Sequence, residues 1–505
     1  MPPADVDNGS NAERRRVFLT VAAGVFMSTL DSSQVNVALP ALMRSFHSSL
    51  ALTGWVVQVY LLTVTVLLVF WGRLCGCWGC GPVYSRGLLV FSVGSLLCAA
   101  STSVGLLICC RFLQALGASM MMAAGPALIR SVFPRERLGR GLGLIGIATS
   151  LGLMTGPAVA GLLLRWAHWR AIFWVTVPVG LFCYLFSRGS LAGAGSGRMP
   201  GPVRGGGCTD TTSAFDLAGA LLWAVSVTLA VLLATHATLL CGNRDSGDAA
   251  VFWTGTVLML ACWLLFFWHE ARAARPILPL PLIRQRFFLT ALCSSALSFA
   301  VLFVAMILVP FYLDKILRLP PDRLGTVMMA LPLTVFLVSP AAGRLHDRLG
   351  ARLVATAGLL GCLAGSLFLT GLTAGSSPLF VAGCLALLGF GQALFLAPNS
   401  ASVLAGVADD QAGLSASLLA TARNFGMLAG TALAGLGFAL HFAAATGGLD
   451  LRDFVPALAP AFMQALRGTL WYGVVLALLA VLVSGLRGGK PGRTGAGKRD
   501  GRGDD

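Results

Sequence analysis

Chemistry in this chain rests on a few polar side chains set inside apolar surroundings. Asp31 lies in Leu30-Asp31-Ser32-Ser33-Gln34-Val35-Asn36-Val37-Ala38-Leu39-Pro40 and is the one acidic residue that falls well inside an apolar stretch. A carboxylate there costs several kcal/mol if it is charged and unpaired. Such a group is suited to taking up and releasing a proton; otherwise it is a neutral or paired structural acid. Arg111 and Gln114 occur in Arg111-Phe112-Leu113-Gln114-Ala115-Leu116-Gly117-Ala118. Three residues apart, they share one helix face. A guanidinium within an apolar helix must face the interior and find a partner such as Asp31 or a carbonyl; the alternative is a structural arginine near an interface. The chemistry on offer is proton binding and charge pairing.

Around this set stand Gln34 and Asn36, which either line a cavity or hydrogen-bond neighbouring helices. Trp55, Gln58 and Tyr60 in Trp55-Val56-Val57-Gln58-Val59-Tyr60 are candidates for a substrate cavity, with Met120 and Met154 as further apolar wall. Each is equally readable as plain packing. Gly152-Leu153-Met154-Thr155-Gly156-Pro157-Ala158-Val159-Ala160-Gly161 reads as a packing seam of small residues with a proline kink. Cys75, Cys77 and Cys80 put three thiols close together, yet no fourth ligand is near, so no metal site is assigned.

The elements that position these residues follow from composition. Of 505 residues, 56% are hydrophobic and only 11% charged, less than half the charge usual in a soluble protein. About fourteen stretches are long and apolar enough to span a bilayer: 17–39, 51–71, 86–104, 106–128, 141–164, 169–187, 215–236, 250–269, 287–312, 323–342, 352–371, 379–400, 412–440 and 468–487. The net charge of +16 is spread over the short segments between them. Arg73, Arg86, Arg130, Arg188, Arg272, Arg344 and Arg352 fall on the side of the N-terminus, whereas Arg44, Arg165 and Arg170 fall on the other. This asymmetry predicts both termini in the cytoplasm and argues against nucleic-acid binding. Arg15-Arg16-Val17-Phe18-Leu19 looks like a twin-arginine signal core, but Asp31 and the many later apolar stretches make Val17 the start of a first span.

One internal repeat is legible. Gly72-Arg73-Leu74-Cys75-Gly76-Cys77-Trp78-Gly79-Cys80-Gly81 aligns without gaps on Gly343-Arg344-Leu345-His346-Asp347-Arg348-Leu349-Gly350-Ala351-Arg352. Each copy follows the second span of a group of six. Two six-helix halves with a helix pair inserted between them account for this, and parallel repeats of this kind place a transport site between the halves. The expected divisions are a tail at 1–16, a first bundle at 17–187, a cytoplasmic linker at 188–214, the inserted pair at 215–269, a second bundle at 270–487 and a disordered basic tail at 488–505.

On these motifs the chain resembles the major facilitator superfamily, and within it the fourteen-helix drug:proton antiporter branch. Leu30 to Pro40 is similar to the family pattern L-D-x-T-x-x-N-x-A-L-P, with Ser33 at the usual Thr. Arg111 to Gly117 resembles R-x-x-Q-G, with Ala115 at the Gly, and Gly152 to Gly161 resembles the antiporter motif G-x-x-x-G-P-x-x-G-G, with Ala160 replacing one Gly. The repeated loop resembles G-x-L-x-D-R-x-G-R-R/K. Its second copy keeps Gly343, Asp347, Arg348, Gly350 and Arg352, whereas Gly76 and Cys77 replace the Asp-Arg pair of the first. Phe215 to Gly219, Glu270 to Pro276 and Arg423-Asn424-Phe425-Gly426 with Gly430 resemble further stretches of the branch. The resemblance implies an all-α major facilitator fold. It also implies proton coupling through Asp31, Arg111 and Gln114, and a conformational latch from Gly72, Arg73, Gly79, Gly343, Arg344, Asp347, Arg348, Gly350 and Arg352. Gly152, Gly156, Pro157 and Gly161 would mark an exporter.

No phosphate loop G-x-x-x-x-G-K-[ST], zinc-protease motif or G-x-S-x-G elbow occurs, so neither ATP-driven transport nor hydrolysis is read here. The expected function is a non-enzymatic, proton-driven exporter of small amphipathic or cationic compounds by alternating access. It would sit in the cytoplasmic (inner) membrane with the proton gradient in place of a cofactor, and a periplasmic adaptor is a candidate partner. Two rival readings are export of one defined metabolite and a transporter-like sensor that moves nothing.

Overall fold

The computed structural model describes residues 5–132, 138–196, 216–240, 246–273, 284–405 and 412–487. Among these every regular element is helical, as a lipid-embedded backbone requires, because a helix satisfies its own N–H and C=O groups. The first half comprises α1 (Asp5–Phe46), α2 (Leu50–Trp78), α3 (Cys80–Ala100), α4 (Val104–Val132), α5 (Leu138–Trp166) and α6 (Arg170–Ser196). The inserted pair is α7 (Leu217–Leu240) and α8 (Ser246–Arg272). The second half comprises α9 (Arg286–Lys315), α10 (Pro321–Met328), α11 (Ala330–Leu349), α12 (Ala351–Thr370), α13 (Pro378–Ala405), α14 (Ala412–Thr446) and α15 (Ala459–Gly485).

Among the described residues, 11 helices are long and apolar enough to cross a membrane, and Leu151–Trp166 and Ala218–Leu233 are shorter apolar segments. Helix α1 adds a further long helix whose hydropathy is diluted by Asp31, Gln34 and Asn36. The chain is a multi-pass membrane protein. Its lipid-facing surface is plainest on α8, where Trp253, Leu264, Leu265 and Trp268 are all exposed.

The expected spans lie largely on helix; the span at 86–104 runs past the end of α3 at Ala100 and across Ser101–Ser103, and three further readings differ from the structure. The segment read as an N-terminal tail is helical from Asp5 and continuous with α1. Helix α6 runs to Ser196, so the stretch read as linker from 188 begins as helix, while 197–215 lie outside the described residues, as does the tail at 488–505. The span at 323–342 is two helices joined at Met329. Pro332 explains the break, because it has no N–H to offer the Met328 carbonyl and its ring crowds the preceding turn.

The loop repeat has a shared backbone purpose. Gly79 and Gly350 both sit at φ 82°, with their N–H groups on the carbonyls of Cys75 and His346. One residue thus ends a helix and starts the next, in a conformation that favours glycine. Within the first half α1 packs on α4, α5 and α6, and α3 on α4 and α6; within the second, α9 packs on α14 and α15, and α13 on α11 and α12. The halves meet where α2 packs on α14 and where α5 packs on α10 and α11, and α7 touches both α2 and α14.

Candidate functional site

Close approach of α3 to α4 builds the centre of the first half. A Cβ on Gly94 would fall 2.6 Å from the Gln114 backbone, so only glycine lets α4 come this near. That approach brings Ser95 and Cys98 of α3 against the Gln114 amide, while α1 packs on α4 from the other side.

The result is a closed, buried polar network. Arg111 Nη1 donates to Asp31 Oδ2 at 2.6 Å and to Gln114 Oε1 at 2.6 Å. Gln114 Nε2 donates to Asp31 Oδ1 at 2.9 Å and to Ser95 Oγ at 2.7 Å, and the Cys98 thiol lies 3.8 Å from Gln114 Oε1. Arg111 Nε reaches the Val56 carbonyl at 3.2 Å, and the guanidinium lies over Tyr60 at 4.4 Å and Phe173 at 5.7 Å. Asp31 and Gln114 are 0% exposed and Arg111 1%. A single proton is the smallest thing that changes the charge of this set, and adding one to Asp31 leaves Arg111 without its counter-ion.

The second half carries an uncharged counterpart. Gln392 of α13 accepts from Ser298 Oγ of α9 at 2.5 Å and faces the Cys362 thiol of α12 at 3.9 Å. In Gly389-Phe390-Gly391-Gln392, glycine stands three residues before the glutamine, where the first half has Arg111. The two halves therefore share an amide core, and among the described residues the buried acid–guanidinium pair lies in the first half.

A family model described as Major Facilitator Superfamily matches residues 21–431 and 291–499. The chain belongs to the major facilitator superfamily. It is 32% identical to the riboflavin transporter RibZ of Clostridioides difficile (strain 630) over 82% of this chain and 86% of the relative. It is 29% identical to the multidrug resistance protein Stp of Mycobacterium tuberculosis (strain CDC 1551 / Oshkosh) over 84% of this chain and 76% of that one. A solved peptide transporter of the POT type aligns over 92% of this chain and 94% of its own, with TM-score 0.63 and 15% identity. A bacterial homologue of the lysosomal transporter Spinster, inward-facing and unoccupied, aligns over 94% and 97% with TM-score 0.62 and 13% identity.

The halves face one another, and the motif residues fall on that interface unequally. In α5, Gly152 and Gly156 pack on α1, where side chains at these positions would collide with Thr29 and Ser33, flanking Asp31. One turn on, the same helix crosses to the other half: a Cβ on Gly161 would lie 2.6 Å from the Pro321 carbonyl, and one on Gly325 would strike the Pro157 carbonyl. The motif is thus two seams end to end. Beside it, at the face opposite the N-terminus, Arg44 pairs with Asp314 and Arg165 with Asp322, each arginine from the first half and each aspartate from the second. A neighbouring cleft lined by Leu39, Gln58, Ile307, Phe311 and Thr431 holds about 20 Å³, room for about one water. This face is closed.

Other expected site residues are distributed differently. Tyr60 lies under Arg111 within the first half and supports the charged network. Gln58 does line the interface, and Trp55 is half-buried. Met120 packs against Gly87 between α3 and α4, as core, and Met154 is half-buried. Gln34 is 0% exposed with neither amide atom hydrogen-bonded, and the Asn36 Oδ1 is also without a partner. In the loop repeat, Gly72 and Gly343 have open space around them, Arg344 and Arg348 are exposed, and Arg352 donates to the Gly485 carbonyl at 2.5 Å. The side chains of Arg73, Cys77 and Asp347 lie outside the described residues; Cys75 is buried and Cys80 half-buried. Ser95, Cys98, Phe173 and the Val56 carbonyl were not legible as site components, because only tertiary packing brings α2, α3 and α6 to Arg111.

Proposed function

We propose that this protein is a proton-coupled exporter of small amphipathic compounds that works by alternating access. It sits in the cytoplasmic membrane with both termini inside, so the closed face is the outer one. The observation that carries the reading is the buried Asp31–Arg111 pair, joined by Gln114 and, among the described residues, found in the first half. In this scheme Asp31 takes a proton from outside when the outer face opens. Protonation cancels the carboxylate charge and loosens its hold on Arg111. Because Asp31 lies on the α1 segment packed against Gly152 and Gly156, the change reaches α5 and through it the seam with α10. The halves rock, the proton leaves inward, and the pair re-forms. Relatives named as multidrug resistance proteins support a broad substrate range. The relative named as a riboflavin transporter favours a second reading, export of one defined metabolite.

The test is proton movement in liposomes containing the purified protein and a pH-sensitive dye inside. A compound panel should release protons from wild type and not from Asp31→Asn. Equal coupled flux in both would remove Asp31 from the mechanism, and the sensor reading requires no flux with any compound.

A further inference from the structure

Away from the Asp31 network, one buried charge is left without a counter-ion. Arg487 follows α15 at the face that carries the N-terminus, where α9 begins and α13 ends. It is 3% exposed. Burial alone pushes its guanidinium down to about 10, and among the described residues it makes no ion pair. The acids of the second half with described side chains, Asp314, Asp322, Asp450 and Asp453, all lie at the opposite face.

The contacts of Arg487 are few and uncharged. Its Nη2 donates to Ser402 Oγ of α13 at 2.7 Å, and its Nε has no partner. The guanidinium carbon lies 4.7 Å from the centre of the Phe287 ring, in the first turn of α9. Capping the end of its own helix is not its task, because Arg352 already donates to the Gly485 carbonyl there. A buried charge with no compensating partner is strongly destabilising.

The first turn of α9 has a matching deficit. Gln285 stands at its N-cap without a side-chain hydrogen bond, and the N–H groups of Phe288 and Leu289 both turn back to the Gln285 carbonyl. Those of Arg286 and Phe287 are left without a carbonyl to reach. Such a terminus carries partial positive charge, and Arg284 and Arg286 stand exposed beside it. A guanidinium is thus buried against a positive helix end, an arrangement that repels itself unless an anion lies between. The carbonyl end of α13, one turn past Ser402, offsets only part of that charge.

We propose that Arg487, the first-turn N–H groups of α9 and Arg286 bind a phosphate group at the face that carries the N-terminus. Phosphate suits the set because its oxygens accept from a guanidinium and from backbone N–H groups at once. Leu486, next to Arg487 in the chain, and Leu482 one turn before it are exposed, so lipid borders the site. An anionic phospholipid headgroup and a free phosphate ester offer the same chemistry. Once bound, the group ties α9, α13 and α15 together at their ends. The site is separate from the Asp31 network and independent of what is exported.

The experiment follows the melting of the full chain in a non-ionic detergent, in sodium phosphate against sodium chloride at equal ionic strength. Wild type should gain stability with phosphate along a saturable curve. Arg487→Gln should raise the half-saturating concentration about 10- to 100-fold, the range of a hydrogen bond to a charged group. Arg487→Lys should keep part of the response, Arg286→Gln should weaken it severalfold, and Arg188→Gln, an exposed site of the first half, should leave it unchanged. In chloride Arg487→Gln should melt no lower than wild type, because it removes the charge that the helix end repels. A second arm takes the same variants from nanodiscs of phosphatidylglycerol and phosphatidylcholine and counts the retained phosphatidylglycerol by native mass spectrometry. Retention that Arg487→Gln loses, with no effect of inorganic phosphate, identifies a headgroup; a phosphate response without selective retention identifies a soluble ester; either sustains the site. A wild type that answers to neither probe, or an Arg487→Gln that answers as wild type does, overturns it. So does an Arg487→Gln that melts lower by the same margin with and without phosphate, which would make Arg487 a strut to Ser402.

Discussion

Replacing Asp31 by Asn tests the central network most directly, because both partners of the pair are at most 1% exposed. The carboxylate accepts from two donors, Arg111 Nη1 at 2.6 Å and Gln114 Nε2 at 2.9 Å. An asparagine offers one oxygen, so one of these donors would face an NH₂ group. It also removes the charge opposite Arg111. With charge centres about 4 Å apart and an effective dielectric of about 20, that attraction is about 4 kcal/mol, and breaking a buried pair from one side costs about 3–5 kcal/mol. Removing both charges at once, Asp31→Asn with Arg111→Gln, leaves no orphaned ion. The double variant should therefore be more stable than Asp31→Asn alone, with a coupling energy of about 3 kcal/mol in the four-member cycle. Unfolding in mixed micelles followed by tryptophan fluorescence measures it. Both charge-removal variants should lack coupled proton movement, so the folded double variant separates a functional loss from a folding one. A coupling below about 1 kcal/mol, or an Asp31→Asn variant as stable as wild type, would refute the reasoning that the pair is held in a low-dielectric core.

Three further outcomes follow from the closed face opposite the N-terminus and its approach to the site. Asp314→Arg should open that face, raising the accessibility of a cysteine placed at Thr431 to a membrane-impermeant thiol reagent, and adding Arg44→Asp should restore the closed state; since each exposed pair is worth only about 0–1 kcal/mol, the shift in either case is up to about fivefold. Gly325→Val should block closure more firmly, because its side chain would meet the Pro157 and Gly161 backbone of the other half; cross-linking of cysteines placed at Leu164 and Leu324 should fall sharply, and unchanged cross-linking would show the seam to be loose. Gln114→Leu should remove the donor shared by Asp31 and Ser95 and cost about 1–3 kcal/mol of stability, while coupled flux falls more than substrate binding does.

Much of the architecture was determined by the sequence alone, for a physical reason. In lipid, backbone groups have no water to turn to, so a long apolar run has one outcome, and the helices fell where the apolar runs were. The Gly79 and Gly350 turns were legible as a repeat because each needs a positive φ that glycine tolerates best. The pairing of Arg111 with Gln114 was legible from their spacing on one helix. That Asp31 would be their partner was an expectation only tertiary packing could decide, since α1 and α4 are separated in the chain by two whole helices. The same holds for Ser95 and Cys98, which reach Gln114 because Gly94 lets two backbones touch. That Tyr60 lies under Arg111 was not legible, because helix rotation, which hydropathy does not encode, sets which flank of α2 faces α4. The stretch from Gly152 to Gly161 reads in sequence as one run of small residues. Only the structure divides it into a seam with α1 and a seam with α10, because the division depends on where α5 leaves one half and meets the other.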